Sequence, residues 1–389
     1  MKKLKLRSKE WFDNPKDPGL TAIYLERYLN YGLTRKDLQS GKPIIGIAQS
    51  GSDLSPCNRH FLKLSDHIKK GIRDAGGVPM EFPTHPIQET GKRPTAALDR
   101  NLSYLSLVEV LYGYPLDGVV LTTGCDKTTP AALMAAATVN IPAIVLSGGP
   151  MLDGHYKGKK AGSGTIIWEA RKLYSKGEIN YDEFMDMATA SSPSVGHCNT
   201  MGTASTMNSI AEALGMSLPG CAIIPAPYPE RKKISYKTGK RIVGMVKENL
   251  TPSKIMTKKS FENAVIVASA IGGSSNATTH LIAIAKHMGV KFDLSNWQKL
   301  GHKIPLLVDC QPAGKHLMEG FFRAGGVPAV MKELIKNKKL NTKVMTVTGK
   351  KLGDNLKSNI KVDSDVIKTF KTNLTENAGF LILKGNFFS

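Results

Sequence analysis

The sequence predicts an α/β fold: parallel sheets flanked by helices on both faces, divided into two subdomains. Three observations predict it. Short β-branched apolar runs alternate with longer runs of helical spacing. The strand-like runs are apolar throughout rather than alternating, as strands covered on both faces are. The joins between them are polar and glycine-rich, where ligands gather in such sheets.

In chain order, residues 1–42 are polar and partly helical and read as an arm laid over the body. PIIGIAQ (43–49) reads as a buried strand, and FLKLSDHIKKGIRDAGG (61–77) as a helix stopped by Gly76 and Gly77. VPMEFP (78–83) is strand-like and NLSYLSLVEVLYGYP (101–115) helical. DGVVLTTG (117–124), AALMAAATVN (131–140) and PAIVLSGGP (142–150) read as strand, helix and strand. Helices are expected over 199–215 and 235–250, helix with a glycine break over 261–290, and a strand at IPLLVDC (304–310). The proline- and charge-rich APYPERKK (226–233) is the candidate boundary. The division is then an arm (1–42), a first subdomain (43–225), a second (226–377) and a final strand-like stretch (378–389).

The chain has 389 residues, 41% hydrophobic and 22% charged, which suits a deep globular core. No apolar run approaches the ~18–20 residues of a membrane helix. The N-terminal MKKLKLRSKEWFDN lacks the apolar centre of a secretory signal. The expectation is a soluble, cytoplasmic protein with no membrane partner. The net charge of +21 raises nucleic acid as a partner. The lysines are scattered, however, and no basic stripe with interleaved aromatics or known nucleic-acid motif occurs, so no nucleic-acid partner is expected. The charge reads as a solvated surface that would also attract a small carboxylate.

Five cysteines, an odd number, argue against a disulfide framework. Cys221 and Cys310 border apolar runs and read as packed residues. Cys57 (SPCN), Cys125 (TGCD) and Cys198 (GHCN) each sit in a polar turn before Asn or Asp. Three thiolates from three loops of one sheet edge could hold an iron–sulfur cluster, leaving one iron open as a Lewis acid. Zinc with three ligands and a water, or three unrelated buried thiols, are the competing readings. Asp126 offers a hard oxygen suited to Mg²⁺. Lys127 could be an ion-pair partner, a carboxylate binder or a modified ligand. Glu89, in HPIQETGKRPTA, read alone is a solvent-exposed carboxylate. His60 and His197 flank two of the cysteines and could tune a cluster by hydrogen bonds.

At this point the chain resembles the dihydroxy-acid dehydratase and 6-phosphogluconate dehydratase family, most closely its sugar-acid branch of xylonate and arabinonate dehydratases. The resemblance is carried by GKPIIGIAQSGSDLSPCNRH, AGGVPMEFPTHPIQETGKRPTAALDRNL, DGVVLTTGCDKTTPA, SGGPMLDG, GHCNTMGTASTMNSIAEALG, GGSSNATTHL and MEGFFRAGG, in family order to about residue 330. It implies the family's N-terminal α/β/α domain. Cys57, Cys125 and Cys198 match the ligands of a [2Fe–2S] cluster, with [4Fe–4S] the alternative. Asp126 matches a Mg²⁺ ligand, Lys127 a lysine carbamylated to bind Mg²⁺, and Glu89 a further acidic Mg²⁺ ligand. The implied substrate is a 2,3-dihydroxy carboxylate such as a sugar acid, dehydrated to its 2-keto-3-deoxy acid by a homo-oligomer, a dimer or tetramer. Dihydroxy-acid dehydratase of branched-chain amino acid synthesis is the rival within the family, and a catalytically inactive binding or assembly module the rival outside it. The family's chain continues into a barrel-like C-terminal domain supplying a glutamate ligand and a base serine. This sequence stops at ENAGFLILKGNFFS, so a truncated member is expected, with AGFLILKGN (378–386) as the entry strand to that domain and an exposed apolar edge.

Overall fold

A computed structural model describes residues 5–30, 32–88, 97–383 and 385. Its centre is a four-stranded, all-parallel sheet of β1 (Ile44–Gln49), β2 (Val78–Pro83), β3 (Gly118–Thr123) and β4 (Ala143–Ser147), in the order β2-β1-β3-β4. The register sets Ile45 beside both Pro79 and Gly118, and Val120 beside Ile144. β1, β3 and β4 are buried at every residue, which is why their sequences are apolar without alternation. β2 is one of the two edge strands, half-buried and carrying Pro79 and Pro83. Proline is tolerated there because an edge leaves N–H groups out of the ladder.

Helices cover both faces, so the expected α/β architecture is present. The Phe61–Asp74 and Pro229–Lys247 helices pack on one face and on each other. Their closest approach is between glycines. A Cβ on Gly71 would overlap the carbonyl oxygen of Tyr236, and one on Gly239 that of Ile68. The Ala97–Gly113 and Thr128–Val139 helices lie together on the other face. The segment 226–233 leads directly into the Pro229–Lys247 helix, whose Ile234, Ile242 and Val243 join the core around the sheet. A second apolar cluster gathers Val267, Leu307, Phe321, Val330 and Val366.

The N-terminal arm is pinned to the body. Arg7 donates to the carbonyls of Leu111 and Leu116, and the buried Asp117 accepts from Ser8 N–H, Ser8 O–H and Ile44 N–H. Trp11 stacks on Tyr24 at 4.0 Å between ring centroids.

Two expected strands are corrected. Residues 304–310 are buried but form only isolated bridges, to Thr375, Ile367 and His316. Their backbone groups are met by several separate segments: Leu306 N–H by Thr375 O, Leu307 N–H by Ala270 O and Asp309 N–H by Val366 O. No single neighbour runs alongside to make a ladder. Residues 378–383 carry no strand either. Gly379 N–H donates to His302 O, Ile382 N–H to Gln298, and Phe380 packs edge-on against buried Trp297. Apolar composition was the only strand signal at both places. Among the described residues no helix is long and apolar enough to cross a membrane.

Candidate metal-binding site

Three loops at the C-terminal ends of the strands meet at one cavity of about 650 Å³. Cys57 lies in the short Pro56–Asn58 turn after β1, and Cys125 in the turn between β3 and the Thr128–Val139 helix. Cys198 precedes the Thr203–Ala213 helix. All three thiols line this cavity, together with Asp126 and Gln88. A cavity of about 630 Å³ beside β2, lined by Tyr28, Arg73, Phe82 and Tyr114 among others, contains none of the predicted residues.

The Cys125 turn is tightly specified. Asn208, buried in the Thr203–Ala213 helix, accepts from the hydroxyls of Thr123 and Thr129 and donates to Gly124 O at 3.1 Å. Thr128 Oγ1 donates to Cys125 O and accepts from Gly124 N–H. The turn opens a 12-residue helix, so the positive end of its dipole faces the thiol and carboxylate that precede it. Next to Cys198, Asn199 is fully buried. Its Oδ1 accepts from Ser163, and its Nδ2 donates to Leu152 O and Ser191 O.

The thiols sense one another. Cys57 is hydrogen-bonded to Cys125, and this bond is the main reason its ionisation is strongly disfavoured. Burial and the charges of Cys125, Cys198 and Asp126 add to it. Cys198 is pushed up to about 11, first by burial and then by Cys125 and Asp126, although a Ser163 hydrogen bond pulls the other way. A cationic group among the thiols would relieve this mutual penalty. Asn58 Nδ2, on the residue next to Cys57, is buried without a partner among the described residues.

Asp126 and Lys127 are both buried, and Lys127 Nζ stands 3.1 Å from Asp126 Oδ2. Asp126 lines the cavity and Lys127 does not. Glu89 lies outside the described residues. Among the described residues no three His, Cys, Asp or Glu side chains stand in metal-ligand geometry. What converges is a donor set of the right chemistry: three soft thiols around one cavity with a hard carboxylate beside them.

The two histidines that flank the cysteines bond to backbone carbonyls. His60 Nε2 bonds to Gly148 O at 2.9 Å, and His197 Nδ1 to Cys198 O at 3.0 Å. Burial lowers His60 to about 4 and His197 to about 3, so both are neutral. Their contribution to stability is intact above about 6.5 and is lost as pH falls toward those values.

Sequence reasoning missed the buried amides, and it missed two buried ionisable side chains, Arg231 and Glu212. Arg231, fully buried, donates to the carbonyls of Ser147, Cys221 and Ile224. Glu212 accepts from Gly220 N–H at 2.6 Å and Ala222 N–H at 2.9 Å. The available signal was the polar content of TASTMNSIAEA in a helix buried throughout.

Burial raises Glu212 from 4.5 to about 7, against the pull of its two N–H partners and Arg231. The folded protein therefore holds a proton that the unfolded chain releases above about 4.5. Stability from this group is present below 4.5 and is lost as pH rises through about 7. Relative to Glu212→Gln, which cannot ionise, the parent chain should lose on the order of 3 kcal/mol across that window. Urea unfolding of both proteins at a series of pH values checks it, and parallel curves would refute it.

A family model described as dihydroxy-acid/6-phosphogluconate dehydratase N-terminal matches residues 42–355. The chain is 59% identical over 384 residues to D-xylonate dehydratase of Caulobacter vibrioides, covering 99% of this chain and 64% of that protein. It is 45% identical to L-arabinonate dehydratase of Rhizobium leguminosarum bv. trifolii, covering 98% of this chain and 66% of that one. A dihydroxy-acid dehydratase of Caldanaerobacter subterraneus subsp. tengcongensis is 40% identical over 92% of this chain and 66% of its own length. The chain thus spans just under two thirds of the length of these relatives.

Proposed function

Because the chain belongs to the dihydroxy-acid/6-phosphogluconate dehydratase family, we propose that it serves the dehydration of a sugar acid such as xylonate or arabinonate to the 2-keto-3-deoxy acid. The observation that carries this reading is the cavity on which Cys57, Cys125 and Cys198 meet beside Asp126. These three cysteines are the proposed holders of an iron–sulfur cluster, [2Fe–2S] by resemblance and [4Fe–4S] by alternative. Asp126, Lys127 as a carbamate, and Glu89 are the proposed holders of Mg²⁺. When bound, both groups supply Lewis acidity toward the oxygens of a 2,3-dihydroxy carboxylate.

The residues of this chain do the rest by positioning. The Thr128–Val139 helix start and the bonds from Asn208 hold Cys125 and Asp126 in one fixed turn. A thiol and a carboxylate on adjacent residues place a soft and a hard ligand at a set separation. Overall, the substrate loses its C2 proton and 3-hydroxyl as water, and the resulting enol becomes the 2-keto acid. By the resemblance, the base serine belongs to the barrel-like portion of longer family members, so no residue described here is given that role. A homo-oligomer acting in the cytoplasm accompanies this reading.

The test is anaerobic reconstitution of the chain with iron, sulfide and Mg²⁺, followed by assay on D-xylonate, L-arabinonate and 2,3-dihydroxyisovalerate. Keto-deoxy acid from the sugar acids is the expected result. Faster turnover of dihydroxyisovalerate would move the chain to the branched-chain substrate. Stable iron binding without turnover of any of them would favour a binding or assembly module. A reconstituted chain that retains no iron would overturn the assignment of the cysteines.

A further inference from the structure

We propose that Asn58 is a positioning residue that sets the separation between the Cys57 and Cys125 thiols. The inference deepens the cluster reading, on which only its iron measurement rests.

Asn58 is fully buried and ends the same short turn that carries Cys57. Its backbone N–H donates to Ser55 O at 2.9 Å, so its main chain is fixed. Its side-chain Oδ1 accepts the backbone N–H of Cys125 at 3.1 Å. The two cysteine turns, 67 residues apart at this bond, are therefore joined by one side-chain amide. The Cys57 N–H is engaged in the same way by Gln88 Oε1 at 3.2 Å. Each cysteine backbone donor is thus taken by a neighbouring amide oxygen.

Gly124 is the other half of the device. A Cβ at this position would overlap Asn58 Oδ1 and lie 3.6 Å from Cys57 O. Only the absence of a side chain lets the Asn58 amide close onto the Cys125 turn. The two turns joined in this way carry Cys57 and Cys125 onto the same cavity. A buried bond between a neutral amide and a backbone N–H is directional, so it fixes the turn's orientation as well as its distance.

The test uses the metal-free chain and dibromobimane, which fluoresces only after both of its arms have alkylated thiols, with peptide mapping to identify the Cys57–Cys125 pair. The parent should crosslink this pair in preference to any pair that includes the buried Cys221 or Cys310. Asn58→Ala should slow the crosslink severalfold and weaken iron retention about tenfold, as loss of an outer-shell partner does. Asn58→Asp, which has the same shape and keeps the accepting oxygen, should crosslink faster than Asn58→Ala, although its added carboxyl slows ionisation of the thiols. Gly124→Ala, pressing on the same bond from the other side, should slow it. The unfolding temperature, read in parallel, registers a merely structural effect, which would not discriminate among thiol pairs. Parental crosslinking in Asn58→Ala overturns the proposal. So does an Asn58→Asp variant that folds and crosslinks as poorly as Gly124→Ala, and this comparison decides the matter if Asn58→Ala does not fold. If the parent chain retains no iron, the cluster reading fails while the crosslinking result still decides the role of Asn58.

Discussion

Serine at position 125 should abolish iron retention and lower dehydration by about a thousandfold or more. The estimate follows from the chemistry. A Lewis acid contributes several kcal/mol to such a step, and each 1.36 kcal/mol is tenfold in rate. Cys125 is the most buried of the three cavity thiols and is hydrogen-bonded to Cys57. Its turn is held by Asn58 and Asn208, so a hydroxyl would sit in the thiol's place without loosening the loop. Cys57→Ser and Cys198→Ser should lose iron as well, because three protein ligands leave none to spare. Cys221→Ser is the control. Its sulfur lies beside the buried Arg231 guanidinium, away from the cavity, and iron retention should be unaffected. Visible absorption and iron per chain measure the outcome, and unchanged iron in all three cavity variants would end the cluster reading.

Lys127 carries the second large effect, and two substitutions separate its possible roles. Lys127→Met removes the cation 3.1 Å from the buried Asp126 carboxylate. Breaking a buried ion pair from one side costs about 3–5 kcal/mol, since the remaining charge keeps its desolvation penalty. Chemical denaturation should register that loss. Lys127→Arg keeps the positive charge but cannot take up CO₂ as a carbamate. It should lose much less stability than the methionine variant and still lose dehydration by about a hundredfold or more, with Mg²⁺ binding weakened in parallel. Intact mass of the parent in bicarbonate should show one added CO₂ that both variants lack. An arginine variant with parental activity and a parent without the added mass would reduce Lys127 to an ion-pair partner.

Much of the sheet was legible from local sequence. The three fully buried strands were readable because burial on both faces removes alternation, leaving the runs IIGIAQ, GVVLTT and AIVLS. The helices around them were readable because one-sided burial leaves a 3.6-residue period, as in the Phe61–Asp74 helix. The same logic failed at 304–310 and 378–383. At 304–310 the residues are apolar for burial rather than for pairing in a ladder, and at 378–383 Leu381 and Leu383 are exposed without a ladder; composition distinguishes neither from a strand.

At the site, sequence located the donors but not their supports. Cys57, Cys125 and Cys198 stood out by their polar turns, and Asp126 and Lys127 by adjacency. His60 and His197 stood out by flanking two of the cysteines, and the structure adds their backbone partners at Gly148 and Cys198. Asn58, Asn199 and Asn208 carry no comparable signal in the sequence. Their partners lie tens of residues away in sequence, and an amide's hydrogen-bonding options are the same wherever it stands.

The sequence by itself therefore determined the α/β alternation, the family and the kinds of ligand offered at each turn. Each of these is written in local periodicity or in residue chemistry. Only the tertiary structure decided that three distant thiols face one cavity, that Lys127 pairs with Asp126 in the interior, and that Asn58 fits against Gly124. Those relations depend on how strands order and cross over, and on close packing that tolerates an oxygen at one point only where a neighbour has no Cβ.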